Sequence, residues 1–156
     1  MDAIRALSEH VARVSYRDLP PAAISAAKTF LQDTVGVGVA GSAGPWANDL
    51  LNCLGLWGAG SEASVFARSV RFPAPSAALA NAYQVHNSEF DCVHEGAVVH
   101  TMTAVVPAAL AYAERRGGVT GEALVTALVV GVDVACHIGA PSRAALKFFR
   151  PGTSDL

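Results

Sequence analysis

Length, composition and charge favour one compact, folded domain. The chain has 156 residues, of which 52% are hydrophobic, enough to bury a core of its own. Eleven basic and 13 acidic residues give a formal net charge of −2, and no run of Lys or Arg could neutralise a row of phosphates. These properties exclude an intrinsically disordered chain and argue against nucleic acid as a partner.

The N-terminal segment and the cysteines indicate the cellular compartment. Asp2, Arg5, Glu9 and Arg13 interrupt the first apolar positions, whereas a secretory signal peptide needs an unbroken apolar stretch. The three cysteines are far apart and form no CxxC pair, which argues against both a disulfide framework and a structural zinc site. We therefore expect a cytoplasmic protein with reduced thiols.

The spacing of apolar residues predicts an all-α fold, because over most of the chain it is helical rather than alternating. The first predicted helix covers residues 21–40 and opens with Pro21, a residue suited to a first helical turn. One stripe of this helix is apolar and consists of Ile24, Ala27, Leu31, Thr34 and Val35.

A loop should follow the first helix. Gly41, Gly44 and Pro45 break the helical pattern, and residues 55–75 are rich in Gly, Ser and Pro. The short apolar piece Ser64–Ala67 allows at most one weak strand or turn of helix within this loop.

Two further helices are predicted next. One begins at Ser76, after Pro73 and Pro75 as start signals, and another covers Thr103–Arg116 and stops at the glycine pair that follows. The predicted face of the earlier helix consists of Leu79, Ala82, Tyr83, His86 and Phe90.

The last predicted helix, residues 121–140, is apolar nearly all round, with Thr120 as its N-cap. Its length approaches that of a membrane span, but Glu122, Asp133 and His137 interrupt it. A charged residue near the bilayer centre costs roughly 2.5–3.5 kcal/mol on insertion scales, so we expect a buried core helix and no membrane partner. Since no linker or internal repeat divides the chain, residues 1–156 should form one domain.

The polar residues that could take part in catalysis are concentrated in residues 86–100, where three of the five histidines lie. Imidazoles and carboxylates so close together can exchange protons near neutral pH, which favours general acid/base chemistry. The alternative is a solvated helix end whose histidines cap carbonyl groups, and the residues alone leave both interpretations open. The titratable members are His86, Glu89, Asp91, His94, Glu95 and His100.

Helical geometry limits how these side chains could meet. On one straight helix His86 and Glu89 would share a face, while Asp91 would point away from both. Gly96 offers a break, after which the chain could return His100 toward the end of the preceding helix. A pocket at such a helix–loop–helix junction is therefore the predicted location of the site.

A metal site is the rival interpretation of the same residues, since His and carboxylate ligands bind iron, manganese or zinc. Di-iron bundles use two Glu-x-x-His elements and zincins use His-Glu-x-x-His, and the chain has neither. We predict no metal and no other cofactor.

At this point the sequence resembles the MmgE/PrpD family, the group that contains 2-methylcitrate dehydratase. FLQDTVGVGVAG at residues 30–41 is similar to the family pattern LLDTxGVxxAG, and NAYQVHNSEFD at 81–91 is similar to its Asn-to-Phe-Asp element. Residues 100–139 match the histidine and apolar helix that follow, and KFFRPGTSDL at 147–156 looks like the start of the family's FxRPxT segment. The resemblance covers nearly the whole chain and implies the N-terminal helical bundle of that family.

The resemblance also implies an activity. These proteins are cofactor-free lyases that dehydrate 2-methylcitrate in one branch, and others decarboxylate cis-aconitate or epimerise a related acid. All of these reactions take or give a proton beside a carboxylate. The implied substrate is a small di- or tricarboxylic acid, with a 2-methylcitrate dehydratase-like reaction as the prediction.

The site residues implied by the resemblance fall in the same polar stretch. Family members place an Asp at the position of Glu89 and a His at that of His100 in the catalytic pocket. Where many members read Asp-Phe-Asp-Asp-Thr-His, residues 89–94 read EFDCVH, without the second Asp and the Thr hydroxyl. Arg150 replaces a His and can bind a carboxylate but cannot act as a base at neutral pH. The predicted catalytic residues are Glu89, Asp91, His94 and His100, and the predicted substrate-binding residues are His86 and Arg150.

Family members continue well past the length of this chain and add a second α+β domain that supplies basic residues to the site. We therefore expect an incomplete site, and apolar faces that favour a homodimer or higher oligomer. Two hypotheses remain. One is an enzyme fragment with its acid/base residues in place, and the other is a non-catalytic helical dimerisation module or degenerate paralogue.

Overall fold

A computed structural model describes residues 2–142 of the chain. Within this range the all-α prediction is confirmed, since six α-helices and a short 3-10 helix accompany only one ribbon of two-residue strands. In chain order the elements are α1 (Ala3–Arg13), the 3-10 helix (Tyr16–Asp18), α2 (Pro21–Gly41), α3 (Ala47–Trp57), β1 (Ala63–Ser64), β2 (Arg71–Phe72), α4 (Ala74–His86), α5 (Thr101–Arg116) and α6 (Gly121–Ser142).

Helix α2 confirms the predicted apolar stripe. Ala27 and Thr34 are buried, and Ile24, Leu31 and Val35 are half-buried. The stripe packs toward two of the three hydrophobic clusters of the core, one around Leu19 and Val125 and the other around Met102, Val106 and Leu128.

Two helices lie where the sequence analysis assigned none. Helix α1 begins at Asp2, whose carboxylate accepts a hydrogen bond from the backbone N–H of Ile4 at 3.1 Å. Helix α3 follows Trp46, which has a left-handed φ of 60°, and buries Leu54 in the third cluster of the core. The predicted loop is confirmed from residue 58 onward, where β1 and β2 pair in antiparallel register.

Helix α4 corrects the sequence prediction in two respects. It begins at Ala74 rather than Ser76 and ends at His86, so that Phe90 lies beyond the helix and is 81% exposed. Its buried face is also different, because Leu79 is 44% exposed and the close neighbours α2 and α5 favour small side chains at the contact. The buried residues are Ala74, Ala77, Ala80, Asn81, Gln84 and Val85.

Helices α5 and α6 have the predicted connection. Helix α5 begins two residues earlier than predicted, at Thr101, which makes His100 its N-cap. It ends before Gly117 and Gly118, both in the left-handed region. The hydroxyl of Thr120 accepts from the N–H of Ala123 at 3.2 Å, as expected of an N-cap.

Only part of α6 is covered. Of the helices in residues 2–142, α6 alone is long and apolar enough, between Gly121 and Pro141, to cross a membrane. One such helix is weak evidence for a span, because core helices of soluble proteins share these properties. The expected burial is not found, since only 17% of the most apolar stretch is buried, although the helix contacts α5, α2, the 3-10 helix and α1.

The contact between α2 and α4 depends on two glycines of α2. A Cβ at Gly41 would overlap the backbone carbonyl oxygen of Gln84. One at Gly38 would lie 2.7 Å from the ring of Phe66 and 3.0 Å from Val85. These glycines let the end of α4, which carries His86, approach α2 closely.

Substitution of Gly41 tests this approach. Gly41→Ala should lower the free energy of unfolding by about 1–3 kcal/mol, because the added methyl must displace the backbone of α4. Gly36→Ala, in the same helix but with no atom within 4 Å of the added Cβ, should raise it by about 0.4–1 kcal/mol. Urea unfolding followed by circular dichroism compares the two, and an unchanged midpoint for Gly41→Ala would contradict the close packing.

Candidate active site

Three structural elements bring the predicted polar residues together. His86 is the last residue of α4, Asp91 lies in the loop that follows, and His100 caps α5. The loop reverses because the backbone N–H of His94 donates to the carbonyl of Val99 at 2.9 Å. The junction predicted between two helices is therefore present.

Asp91 is the centre of the group, and its side chain is 2% exposed. His86 Nδ1 lies 2.9 Å from Asp91 Oδ1 and 3.2 Å from Oδ2. The hydroxyl of Thr103 donates to Oδ2. His100 Nδ1 also lies 3.1 Å from Oδ2, but this buried nitrogen has no aligned hydrogen bond, so the contact is one of charge and proximity. We call His86, Asp91, His100 and Thr103 the Asp91 cluster.

The two imidazoles of the Asp91 cluster face solvent with their outer edges. Their ring centroids are 4.9 Å apart in an edge-on arrangement at 65°. The side chains of His86 and His100 are 47% and 38% exposed, while their Nδ1 atoms face the buried carboxylate. The nitrogen of each ring that does not face Asp91 is therefore Nε2.

Asp91 stays ionised despite its surroundings. Burial alone would raise its pKa, but hydrogen bonds from Thr103 and then His86 outweigh this and hold the pKa of Asp91 below its usual value. The cluster thus contains a buried negative charge that is compensated by donors.

Other predicted site residues lie outside the Asp91 cluster. Glu89 is exposed and has a left-handed φ of 50°, with its backbone N–H on the carbonyl of His86. His94 is exposed, and its Nδ1 accepts from the N–H of Ala97 at 3.0 Å within the turn. Arg150 lies outside the described residues.

Sequence reasoning missed Thr103, which it took only as a helix start. The available signal was its position three residues after His100, since residues at this spacing share a helix face.

Cys92 follows Asp91 in the chain and is half-buried. Burial, and then the negative charges of Asp33 and Asp91, raise the pKa of its thiol.

A groove of about 660 Å³ runs beside the cluster along α2. Its walls include Asp33 and Gly36 of α2 and Ser88 and Phe90 of the loop, but none of the four cluster residues. The Asp91 cluster therefore lies outside this groove.

The cluster also has a ligand set that could hold a metal ion. One donor atom each of His86, Asp91 and His100 lies within 4.8 Å of the others. These three residues have no recognised metal-binding spacing in the sequence, because the fold and not a motif brings them together. A metal would have to replace the hydrogen bonds that Asp91 already accepts, so the absence of a metal stays our prediction.

Comparison with known proteins identifies relatives over most of the chain. The family profile described as the MmgE/PrpD N-terminal domain matches residues 5–153. The chain is also similar to the cis-aconitate decarboxylase-like protein oryM of Aspergillus oryzae, with 27% identity over 145 residues. The match covers 89% of this chain but 30% of that relative's length.

Elemental analysis tests the prediction about metal. After dialysis, the purified chain should contain far less than one transition metal per molecule. About one metal per chain, lost in His86→Ala and retained in the matched surface variant His137→Ala, would contradict the prediction and assign the cluster to metal binding.

Proposed function

The chain belongs to the MmgE/PrpD family, and on this premise we propose that it carries the acid/base residues of a lyase for a small di- or tricarboxylic acid. The observation that carries the proposal is the Asp91 cluster, in which a buried carboxylate holds two imidazoles with their outer edges toward solvent. Imidazole is the side chain best suited to both accept and donate protons near neutral pH.

A dehydration needs one group that accepts a proton and one that donates a proton, and two imidazoles can supply both. One neutral imidazole takes a proton from the carbon beside a carboxylate, and the electron pair of that C–H bond forms the C=C bond. The C–O bond breaks, and the other imidazole, as imidazolium, protonates the departing hydroxyl to give water. In a decarboxylation the C–C bond to the carboxyl breaks, CO₂ leaves, and an imidazolium protonates the carbon that receives the electron pair. We assign either role to His86 and His100, whose side chains are 47% and 38% exposed.

The substrate class rests on charge and on the relatives. An imidazolium attracts carboxylates, and the relative from Aspergillus oryzae is named as cis-aconitate decarboxylase-like. For this chain we propose a tricarboxylate, with a 2-methylcitrate dehydratase-like reaction and a cis-aconitate decarboxylase-like reaction as the two candidates. Glu89, which replaces an Asp of the family, and Arg150 are the further residues we assign to this site.

The cationic side chains that would bind the substrate's other carboxylates are also part of the proposal. Within residues 2–142 the ion-pair and hydrogen-bond partners of Asp91 are His and Thr, with no Lys or Arg among them. Because the chain spans about 30% of the relative's length, we propose that the cations for the remaining carboxylates come from elsewhere in a complete enzyme of this family.

A second candidate function is a non-catalytic helical dimerisation module. The observation in its favour is α6, whose most apolar stretch is 17% buried within the described residues. A second copy of the chain would cover this helix and give a homodimer.

Ligand titration tests the proposed substrate class. Citrate, 2-methylcitrate and cis-aconitate, added near pH 6.5, should shift the ring NMR signals of His86 and His100 and leave those of His10 and His137 unchanged. With two imidazoles as the main contacts, we expect dissociation constants on the order of 1 mM, or about −4 kcal/mol. Acetate at equal ionic strength is the control, and equal shifts with acetate would reject the di- or tricarboxylate class.

Turnover measured on the same samples separates a partial site from a complete one. The 156-residue chain should convert none of the three acids faster than buffer, because within residues 2–142 no Lys or Arg is among the partners of Asp91. Conversion that His100→Ala abolishes would show instead that the residues of this chain suffice for catalysis.

Dilution tests the association hypothesis. If α6 is covered by a second copy, the interface should be of the obligate kind, from about 2,000 Å² of total buried area upward, and dilution should unfold the protein as it dissociates. Ile138→Asp on α6 should weaken association, whereas Leu79→Asp, at a comparably exposed site on α4, should not. A well-folded monomer at low micromolar concentration in light scattering and circular dichroism would rule out this candidate.

A further inference from the structure

We propose that Asp91 is a positioning residue that fixes both His86 and His100 with the neutral proton on Nδ1, so that Nε2 of each ring exchanges protons with a substrate. This inference rests on the acid/base function proposed above. It reassigns Asp91, which the sequence analysis counted among the catalytic residues.

Asp91 is more deeply buried than the two histidines beside it. The Asp91 side chain is 2% exposed, while the histidines that cover it are 47% and 38% exposed. A substrate that approaches from solvent meets the imidazoles first. Asp91 therefore acts through them.

The ionised carboxylate of Asp91 also determines which nitrogen of each neighbouring imidazole carries the proton. An ionised carboxylate can only accept, so a ring nitrogen that bonds to it must carry the proton. His86 presents Nδ1 to both oxygens of Asp91 within hydrogen-bond distance, so its proton lies on Nδ1. His100 Nδ1 lies 3.1 Å from Oδ2 without an aligned hydrogen bond, and there the negative charge of the carboxylate favours a proton over a lone pair on that nitrogen. Both rings therefore share one tautomer, in which the lone pair is on Nε2.

Thr103 sets the orientation of the carboxylate. Its hydroxyl donates to Oδ2, the same oxygen that faces His100, and both residues stand at the start of α5. The first turn of α5 thus orients Asp91 and supplies one of the two imidazoles. With its pKa held below the usual value, Asp91 remains an acceptor over the whole range in which histidines titrate.

A second carboxylate between two histidines, the Asp133 cluster of His10, Asp133 and His137, shows that these residue types alone do not produce this arrangement. Asp133 on α6 contacts His137 through Nδ1 at 3.1 Å but His10 through Nε2 at 2.8 Å. Its side chain is 37% exposed. The Asp133 cluster therefore imposes no common tautomer, and it provides a matched control.

Histidine NMR on the ¹⁵N-labelled chain tests the proposal directly, about one unit above the ordinary histidine pKa of about 6.5. His86 and His100 should each carry the neutral proton on Nδ1. His94 should show the opposite tautomer, because its Nδ1 accepts from the Ala97 N–H. Asp91→Asn offers one carbonyl and one NH₂ group, so only one of the two histidines should keep its Nδ1–H form. Asp91→Ala should abolish the preference in both.

Two further variants complete the design. Thr103→Val, which keeps the side-chain volume, should reduce the Nδ1–H population of His100 more than that of His86. Asp133→Asn should change neither. If the Asp91 variants do not fold, the wild-type spectrum and Thr103→Val still decide the matter. In the wild-type chain, a neutral imidazole with its proton on Nε2 at either His86 or His100 would falsify the proposal. Tautomers that persist unchanged in folded Asp91→Ala would do the same. These readouts do not depend on ligand binding or turnover, so a failure of the proposed function would leave them unaffected.

Discussion

The need to neutralise one buried carboxylate organises the candidate site. An ionised group with a 2% exposed side chain costs several kcal/mol unless donors surround it, and Asp91 finds them in His86, Thr103 and, by charge, His100. Those donors come from the end of α4 and the start of α5. The helix ends must therefore stay within hydrogen-bond reach of one loop residue. The same contacts turn Nδ1 of both imidazoles toward Asp91, so the constraint that folds the junction also supports the chemistry that we propose for it.

Small residues make this convergence possible. Helix α4 buries an alanine-rich face, and Gly38 and Gly41 of α2 remove the side chains that would keep α2 and α4 apart. The position of His86 at the end of α4 is thus fixed by backbone contact rather than by long side chains. Helix α6 contrasts with this arrangement, because only 17% of its most apolar stretch is buried, although α5, α2, the 3-10 helix and α1 all contact it.

The sequence predicts helix boundaries correctly where a helix has clear start and stop residues. Pro21, Thr120 and the glycine pair after α5 gave correct boundaries, because caps and breakers act within one turn. The buried face of α4 could not be predicted, since alanines become core only when another helix approaches. The sequence predicted a candidate site in residues 86–100, but which of these side chains meet depends on a loop reversal and a tertiary contact. Thr103 was missed for the same reason, and whether His94 takes part in chemistry stays a prediction.

The loop between the helices stores backbone strain that the site must offset. Glu89 and Val98 have φ values of 50° and 53°, and residues held in such conformations cost on the order of 1–3 kcal/mol each. A β-branched residue like Val98 is especially unsuited to this region. His94 counteracts the strain, because its backbone bonds across to Val99 and its ring accepts from the Ala97 N–H. Its imidazole thus shapes the turn while those of His86 and His100 face outward. The same residue type has two tasks within fifteen positions, and the partner of each Nδ1, a carboxylate or a backbone N–H, determines which task it performs.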